Sequence, residues 1–310
     1  MENPLVSVVV FAYNSSTTII QTLDSIKAQK YDNIELIVTD DGSTDDTVKK
    51  SYIWSQNNGN RFFRCIVLQH NENTGIVANV KRGYAASTGI WMKGIAADDL
   101  LLPTCISDYV EYLNKHDYAD AIFGKMWYFD NLHKYYNDRY NIGRKLYERL
   151  SKSELKIAIY KFNPIAAPTA FLKRECYFRI GEVDNEFKMI EDWPLWIKMA
   201  HESCNLLFMD KVVVEYRISN SSVSNGTNPN KAIFEKELPL VRMKADSYLE
   251  EINIFSKLYF YTFRKRLSGN IIWKVLYLFN VLNPFYFQYK KVMKVYNWAI
   301  SDSKHTHSLQ

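Results

Sequence analysis

Residues 31–46 read YDNIELIVTDDGSTDD, and this stretch decides the fold class. Ile34 to Thr39 is a β-branched, apolar run suited to a strand buried on both faces. It ends at once in Asp40-Asp41-Gly42, and Ser43-Thr44-Asp45-Asp46 then supplies side chains that open a helix. The same alternation extends outward. Upstream, Leu5 to Phe11 reads as a strand, and Thr17 to Gln29 as a helix with Ile19, Ile20, Leu23 and Ile26 on one face behind Ser15 and Ser16. Downstream come a strand at Phe62–Leu68, a helix at Thr74–Ala86, a strand at Trp91–Ala96 and a helix at Pro103–Lys115. Repeated β-α units predict an α/β fold with a mainly parallel sheet flanked by helices, and ligands outside the carboxyl ends of its strands.

Past this core the pattern weakens. Tyr128 to Arg149 is rich in Tyr, Asn and Lys without clear period and is predicted to be an excursion over the acceptor side. Val212–Tyr216 reads as a late strand, Ser219–Asn230 as a polar loop, and the remainder as a helical C-terminal extension. The expected division is a catalytic domain at 1–225 and a helical, basic-aromatic region at 226–310. The four cysteines (Cys65, Cys105, Cys176, Cys204) are scattered without a CxxC pair, which predicts neither a zinc site nor a disulfide framework. No basic segment precedes a long apolar stretch at the N-terminus, so a cytoplasmic location is expected.

Net charge is +5, unevenly placed. Residues 252–301 hold eight Lys/Arg and no Asp or Glu, which leaves the rest of the chain net acidic. That distribution argues against nucleic acid as a partner and toward an anionic surface met by one end. The same segment carries fourteen aromatics, and its longest apolar run, Ile271–Leu282, is too short to span a bilayer as a helix. Two readings stay open: peripheral contact with anionic lipid, or packing of an aromatic stripe on the catalytic domain.

Three acidic constellations carry chemistry. Asp40-Asp41 ends the second strand, where two carboxylates need donors or solvent. Base N–H and ribose hydroxyls of a nucleotide would serve, and a helix cap is the plain alternative. Gly94-Ile95-Ala96-Ala97-Asp98-Asp99-Leu100 sets two adjacent acids between apolar runs. Such a pair suits Mn²⁺ or Mg²⁺ shared with substrate phosphates, with Asp99 as a cap the alternative. Met189-Ile190-Glu191-Asp192-Trp193-Pro194-Leu195-Trp196 offers a carboxylate at a helix start, fit to deprotonate an acceptor hydroxyl, beside tryptophans that could stack on a sugar; a capping acid with core aromatics is the equal alternative on spacing.

In order along the chain, VSVVVFAYN (6–14), YDNIELIVTDDGSTDD (31–46), NTGIVANVKRGYAASTG (73–89), Asp98-Asp99, GEVDNEFKMIEDWPLW (181–196) and Tyr216-Arg217 closely resemble family 2 inverting glycosyltransferases of the GT-A (Rossmann-like) fold. The resemblance is to the bacterial kind that build surface polysaccharide, and it covers about residues 4–225. One of these motifs alone is weak, whereas six in order are specific. The resemblance implies nucleotide contacts at Ala12, Tyr13, Asn14 and Asp40, a ribose or pocket-closing role for Asp41, and Lys81 beside the diphosphate. It implies metal binding at Asp98 and Asp99, with Asp99 the direct ligand. The base comes from Glu191-Asp192, with Asp192 favoured, and Arg217 belongs to a segment that closes over the diphosphate. The implied donor is a nucleotide-sugar, a UDP-sugar first, and the implied acceptor a saccharide or lipid-linked oligosaccharide in O-antigen, capsule or lipopolysaccharide synthesis at the inner face of the membrane. Ala96 stands where many relatives carry a further Asp, and Ser219 where many carry His. The rivals are a catalytically degenerate binder of sugar nucleotide and another nucleotide-sugar enzyme. A Gly-rich phosphate loop, which the latter would favour, is missing from the sequence.

Overall fold

The computed structural model describes residues 3–130, 133–137, 141–218, 230–267 and 271–305. Ser219 and most of the expected loop after it lie outside them. The chain forms two compact units, one of residues 1–137 and 165–238 and the other of residues 138–164 and 239–310.

Among the described residues, the first unit is built on a nine-stranded mixed sheet. Its strands are β1 (Val6–Ala12), β2 (Ile34–Asp40), β3 (Arg64–Gln69), β4 (Trp91–Ala96), β5 (Leu100–Leu101), β6 (Ala121–Phe129), β7 (Lys134–Tyr136), β8 (Ala170–Lys173) and β9 (Leu206–Arg217). They run in the order β3-β2-β1-β4-β8-β6-β9-β5, with β7 on β6. The four strands anticipated from the β-α alternation pair in parallel, whereas β8 is antiparallel to both β4 and β6. β1 and β2 are buried almost end to end, as their unbroken apolar runs require. The strand connections carry α1 (Ile19–Lys27), α2 (Thr47–Asn58), α3 (Ile76–Ala85) and α4 (Cys105–Leu113), of which α1, α3 and α4 are each shorter by a residue or more than the apolar pattern suggested. Further on, α7 (Arg174–Arg179) follows β8, and α8 (Asp192–His201) precedes β9.

The parallel register aligns the site. Ala12 sits opposite Asp40, and Phe11 opposite Ala96, so three strands deliver their terminal residues to one edge of the sheet.

The stretch 128–149, expected to be aperiodic, contains the end of β6, the strand β7 and a helix, α5 (Ile142–Arg149). The division also differs from the expected boundary at 225/226, because 138–164 belongs with the C-terminal unit. In that unit α5 and α6 (Lys152–Lys161) pack on α12 (Pro284–His305). Lys291 pairs with Glu154 at 2.8 Å, Lys145 with Asp302 at 3.0 Å, and the Arg149 guanidinium lies 3.6 Å from the Trp298 ring centroid. Such contacts join residues more than a hundred positions apart and leave no local signature. α9 (Lys231–Glu250) crosses the boundary at Pro239, and α10 (Ile254–Leu267) and α11 (Ile271–Leu278) complete the unit.

Candidate active site

The turns after β1 and β2 are stitched together. Asn14 has φ 47°, a left-handed conformation that Asn tolerates, and its side-chain oxygen accepts from Thr44 N at 2.9 Å. Its own N–H donates to Ser43 Oγ at 2.8 Å, while Ser16 N donates to Asp45 Oδ2 at 3.0 Å. Asp40 is buried and accepts from Ser43 N and Ser43 Oγ, which fixes the turn. Gly42 sits at φ 77°, with room for no side chain: a Cβ there would lie 2.5 Å from the Glu72 carbonyl carbon. Tyr13 stands 41% exposed at the rim.

Asp41 is tied into the neighbouring helix. Its carboxylate accepts from Thr74 Oγ1 (2.6 Å), Thr74 N (3.0 Å) and Gly75 N (2.8 Å), and Arg82 Nη2 lies 3.4 Å away. Arg82 also donates to Thr74 Oγ1 and Asn79 Oδ1. The geometry gives Asp41 a positioning function, clamping the start of α3 to the end of β2. Lys81, the cation singled out on this helix, pairs with Glu182 at 2.8 Å. Arg82, one residue on, is the helix's cation at Asp41.

The acidic turn after β4 sets two adjacent acids at the same edge. Asp99 is almost fully buried; Oδ1 accepts from Arg217 N at 2.8 Å, while Oδ2 is buried with no hydrogen-bond partner among the described residues. Arg217 Nε donates to Asp98 O at 2.8 Å, its Nη2 to Gln21 Oε1 at 2.6 Å, and the guanidinium lies 4.4 Å from the Phe129 ring centroid. Burial raises the pKa of Asp98, and burial together with the neighbouring Asp98 charge raises Asp99 well above the usual carboxylate range. Thr104, not Asp99, occupies the cap position of α4. A buried carboxylate oxygen lacking a donor, beside a second acid, fits a hard divalent cation such as Mn²⁺ or Mg²⁺. Underneath, the fully buried Lys93 donates to the carbonyls of Gly94 and Pro168, and burial pulls its pKa down to about 8. A single cation inside an apolar strand was its sequence signal.

The third acidic group opens α8. Asp192 Oδ1 accepts from Trp193 N at 2.6 Å. Burial, then the adjacent Asp192 charge, pushes Glu191 up to about 8. The preceding segment is anchored by Glu237, which accepts from Lys188 N (2.7 Å) and Met189 N (2.8 Å), and by Val77 N donating to Lys188 O at 3.2 Å. Trp193 and Trp196 are buried, with Trp196 edge-on to Phe123 at 5.1 Å, so neither presents the sugar-stacking face suggested by the sequence. The amphipathic period of a core helix was the better guide.

α3 joins the groups. Its first turn touches both Asp41 and Lys188, and its Tyr84 packs against Gly94 of β4. A profile described as Glycosyl transferase family 2 matches residues 7–177, more than half of the chain.

The chain belongs to glycosyl transferase family 2. It is 27% identical over 257 residues to an uncharacterized glycosyltransferase of Haemophilus influenzae, covering 82% of this chain and 77% of that one. A PGL/p-HBAD biosynthesis glycosyltransferase of Mycobacterium bovis is 24% identical over 246 residues, covering 77% and 86%. Among solved structures, S. aureus TarS 1-349 in complex with UDP-GlcNAc superposes with TM-score 0.59 at 17% identity, over 97% of this chain and 92% of that one. Mannosyltransferase PcManGT from Pyrobaculum calidifontis, in complex with GDP-Man and Mn2+, superposes with TM-score 0.57 at 17% identity, over 97% and 88%. At these identities the structural likeness speaks for the fold, which is that of GT-A glycosyltransferases. In this family 2 glycosyltransferase the motifs recognised in sequence span β1 to β9. Arg82, Lys93, Gln21 and Thr74 became visible as neighbours of the acidic turns only when the strands were in register.

Proposed function

We propose that this glycosyltransferase moves a sugar from a nucleotide-sugar, first of all a UDP-sugar, to a saccharide hydroxyl with inversion. The observation that carries the reading is Asp99, a buried acid with one oxygen held by Arg217 and the other lacking a donor among the described residues, at the carboxyl edge of the sheet. The turns at Ala12–Asn14 and Asp40–Thr44 would take the base and ribose. Asp98 and Asp99 would hold Mn²⁺ or Mg²⁺, which supplies positive charge opposite a departing nucleoside diphosphate. Arg217 would add donors at the same place. Asp192 takes the proton of the acceptor hydroxyl as that oxygen attacks the anomeric carbon from the face opposite the diphosphate. Glu191, raised to about 8, is largely protonated at neutral pH and so is less available to accept a proton. The complexes of TarS with UDP-GlcNAc and of PcManGT with GDP-Man and Mn2+ support this reading by analogy of fold. A thermal-shift screen of nucleotide-sugars with and without Mn²⁺ tests it: a UDP-sugar should raise Tm most, and only with metal. A screen in which no nucleotide-sugar moves Tm with any metal defeats the assignment.

The acceptor in this reading is lipid-linked, in surface-polysaccharide synthesis at the inner face of the membrane. α11, IIWKVLYL, has no buried residue, and Ile271, Leu278 and Leu282 are each about two-thirds exposed or more, at 69%, 66% and 77%. Lys257, Arg264, Lys265, Arg266 and Lys274 lie in the same helices, and no described helix is long and apolar enough to cross a membrane. An apolar face with a cationic surround suits the interface of an anionic bilayer. Co-flotation with phosphatidylglycerol-containing vesicles but not with pure phosphatidylcholine is expected, and its loss in Ile272→Glu. Absence of flotation with either vesicle removes the membrane from the reading.

A further inference from the structure

Cys176 on α7 and Cys204 in the turn between α8 and β9 meet although 28 positions separate them. Both are buried, and their Sγ atoms are 3.3 Å apart, at contact distance. The place is the edge of the sheet where β4, β6 and β9 begin, opposite the acidic turn, since Ala121 pairs with Leu206 and with Leu172, and Leu172 with Met92. The guanidinium of the exposed Arg179 covers the pair, with Nη2 3.5 Å from Cys176 Sγ and 3.9 Å from Cys204 Sγ. Asp120 also reaches it: the three potential ligand atoms lie within 4.8 Å of one another.

Two chemistries suit two thiols and an acid, namely a thiophilic metal or a disulfide. Arg179 decides between them. Its fixed positive charge faces both sulfurs, which opposes a divalent cation but stabilises a thiolate. Asp120 is already engaged, with Oδ2 accepting from Asn205 N at 2.8 Å. The hydrogen bond shared by the two sulfurs, and more weakly the Arg179 charge, holds the Cys204 thiol below its ordinary pKa against the effect of burial. The same bond raises Cys176, so one sulfur is the nucleophile and the other the proton-bearing resolving thiol.

We propose that Cys176 and Cys204 are a covalent modification site, converted to a disulfide by small peroxides. The Cys204 thiolate attacks one oxygen of hydrogen peroxide, the O–O bond breaks, and the displaced hydroxide takes a proton to leave as water, giving Cys204 sulfenic acid. Cys176 Sγ then attacks Cys204 Sγ, and the sulfenic oxygen leaves with the Cys176 proton as a second water. In sum two thiols lose two hydrogens and one peroxide becomes two waters. The sulfurs need to close only from 3.3 Å to about 2.05 Å, within reach of side-chain rotation. Larger oxidants are excluded by the burial of both sulfurs. The bond would close a loop containing Gly181 through Trp196, hence both Glu191 and Asp192, and would pin the far end of the helix that Asp192 opens.

The test is peroxide treatment of the native full chain, alkylation after denaturation, and peptide mapping by mass spectrometry. A Cys176–Cys204 linked peptide is expected, reversed by dithiothreitol, with Tm raised by roughly 5–10 °C because the closed loop restricts the unfolded chain. In Cys176→Ser, Cys204 should stop at a dimedone-trapped sulfenic acid and Tm should not rise. Recovery of both cysteines alkylated, or of both as sulfinic acids without a link, overturns the proposal, and mapping of the wild type is sufficient to show either. Zinc bound at one per chain and lost in Asp120→Ala overturns it in favour of a metal site.

Discussion

Replacing Glu191 with glutamine separates the two acids at the head of α8. Burial and the adjacent Asp192 charge raise Glu191 from 4.5 to about 8. Between those two values the folded protein keeps a proton that the unfolded chain has released, so stability falls as pH rises through the window. Fully ionising such a group would remove about 5 kcal/mol, at ~1.4 kcal/mol per pH unit. Glu191 is partly exposed at the rim, and solvent screening reduces the figure to about 2 kcal/mol. Glutamine has the shape of the protonated acid and does not titrate. The variant should therefore match the wild type near pH 4.5 and exceed it near pH 8 by about 2 kcal/mol, or roughly 4–8 °C in Tm. With Asp192 as the base, Glu191→Gln should keep kcat within about tenfold, while Asp192→Asn should lose about 10²- to 10⁴-fold. Thermal melts across pH 4.5 to 8, paired with single-turnover transfer assays, read both quantities. A Glu191→Gln enzyme as inactive as Asp192→Asn, with no pH-dependent gain in Tm, would refute the reasoning and make Glu191 the ionised base.

Asp99→Asn should remove the Mn²⁺-dependent rise in Tm and lower kcat at least about 10²-fold, yet raise the metal-free Tm at pH 7 by deleting a buried carboxyl beside Asp98; an intact metal response in differential scanning fluorimetry would clear Asp99 of the ligand role. Arg82→Met strips the cation from Asp41 and should weaken UDP binding by roughly tenfold in titration calorimetry, through a loosened β2–α3 junction, with kcat less affected. Gly83→Ala places a Cβ 2.6 Å from Val9 Cγ1 and 2.8 Å from Thr39 Cγ2; the overpacking should outweigh the helix-propensity gain and cost about 1–2 kcal/mol, read as a lower urea midpoint.

Much of the first unit was legible because its signals are local. A strand buried on both faces announces itself by β-branched apolar runs, and β4 was read to the residue. Acids at the ends of β2 and β4 were legible for the same reason, since each is defined by its immediate neighbours. β8 and α5 were missed. β8 offers only the three apolar residues Ala170–Leu172 and α5 no unbroken apolar run, and their burial comes from partners elsewhere in the chain. The tryptophans of α8 left two readings open in sequence, a sugar-stacking face or core packing, and burial in the fold decided for the core.

By itself, then, the order of residues determined the β-α alternation, the edge where acids gather, and the family. Tertiary structure alone decided that Arg217 reaches Asp99 across 118 positions, that Thr74, Gly75 and Arg82 claim Asp41, that Glu191 sheds its charge, and that Cys176 touches Cys204. Period and turn chemistry act over a few residues and can be read along the chain. Hydrogen-bond partners and dielectric surroundings are set by sheet register, which brings distant segments within a few ångströms and has no counterpart in local sequence.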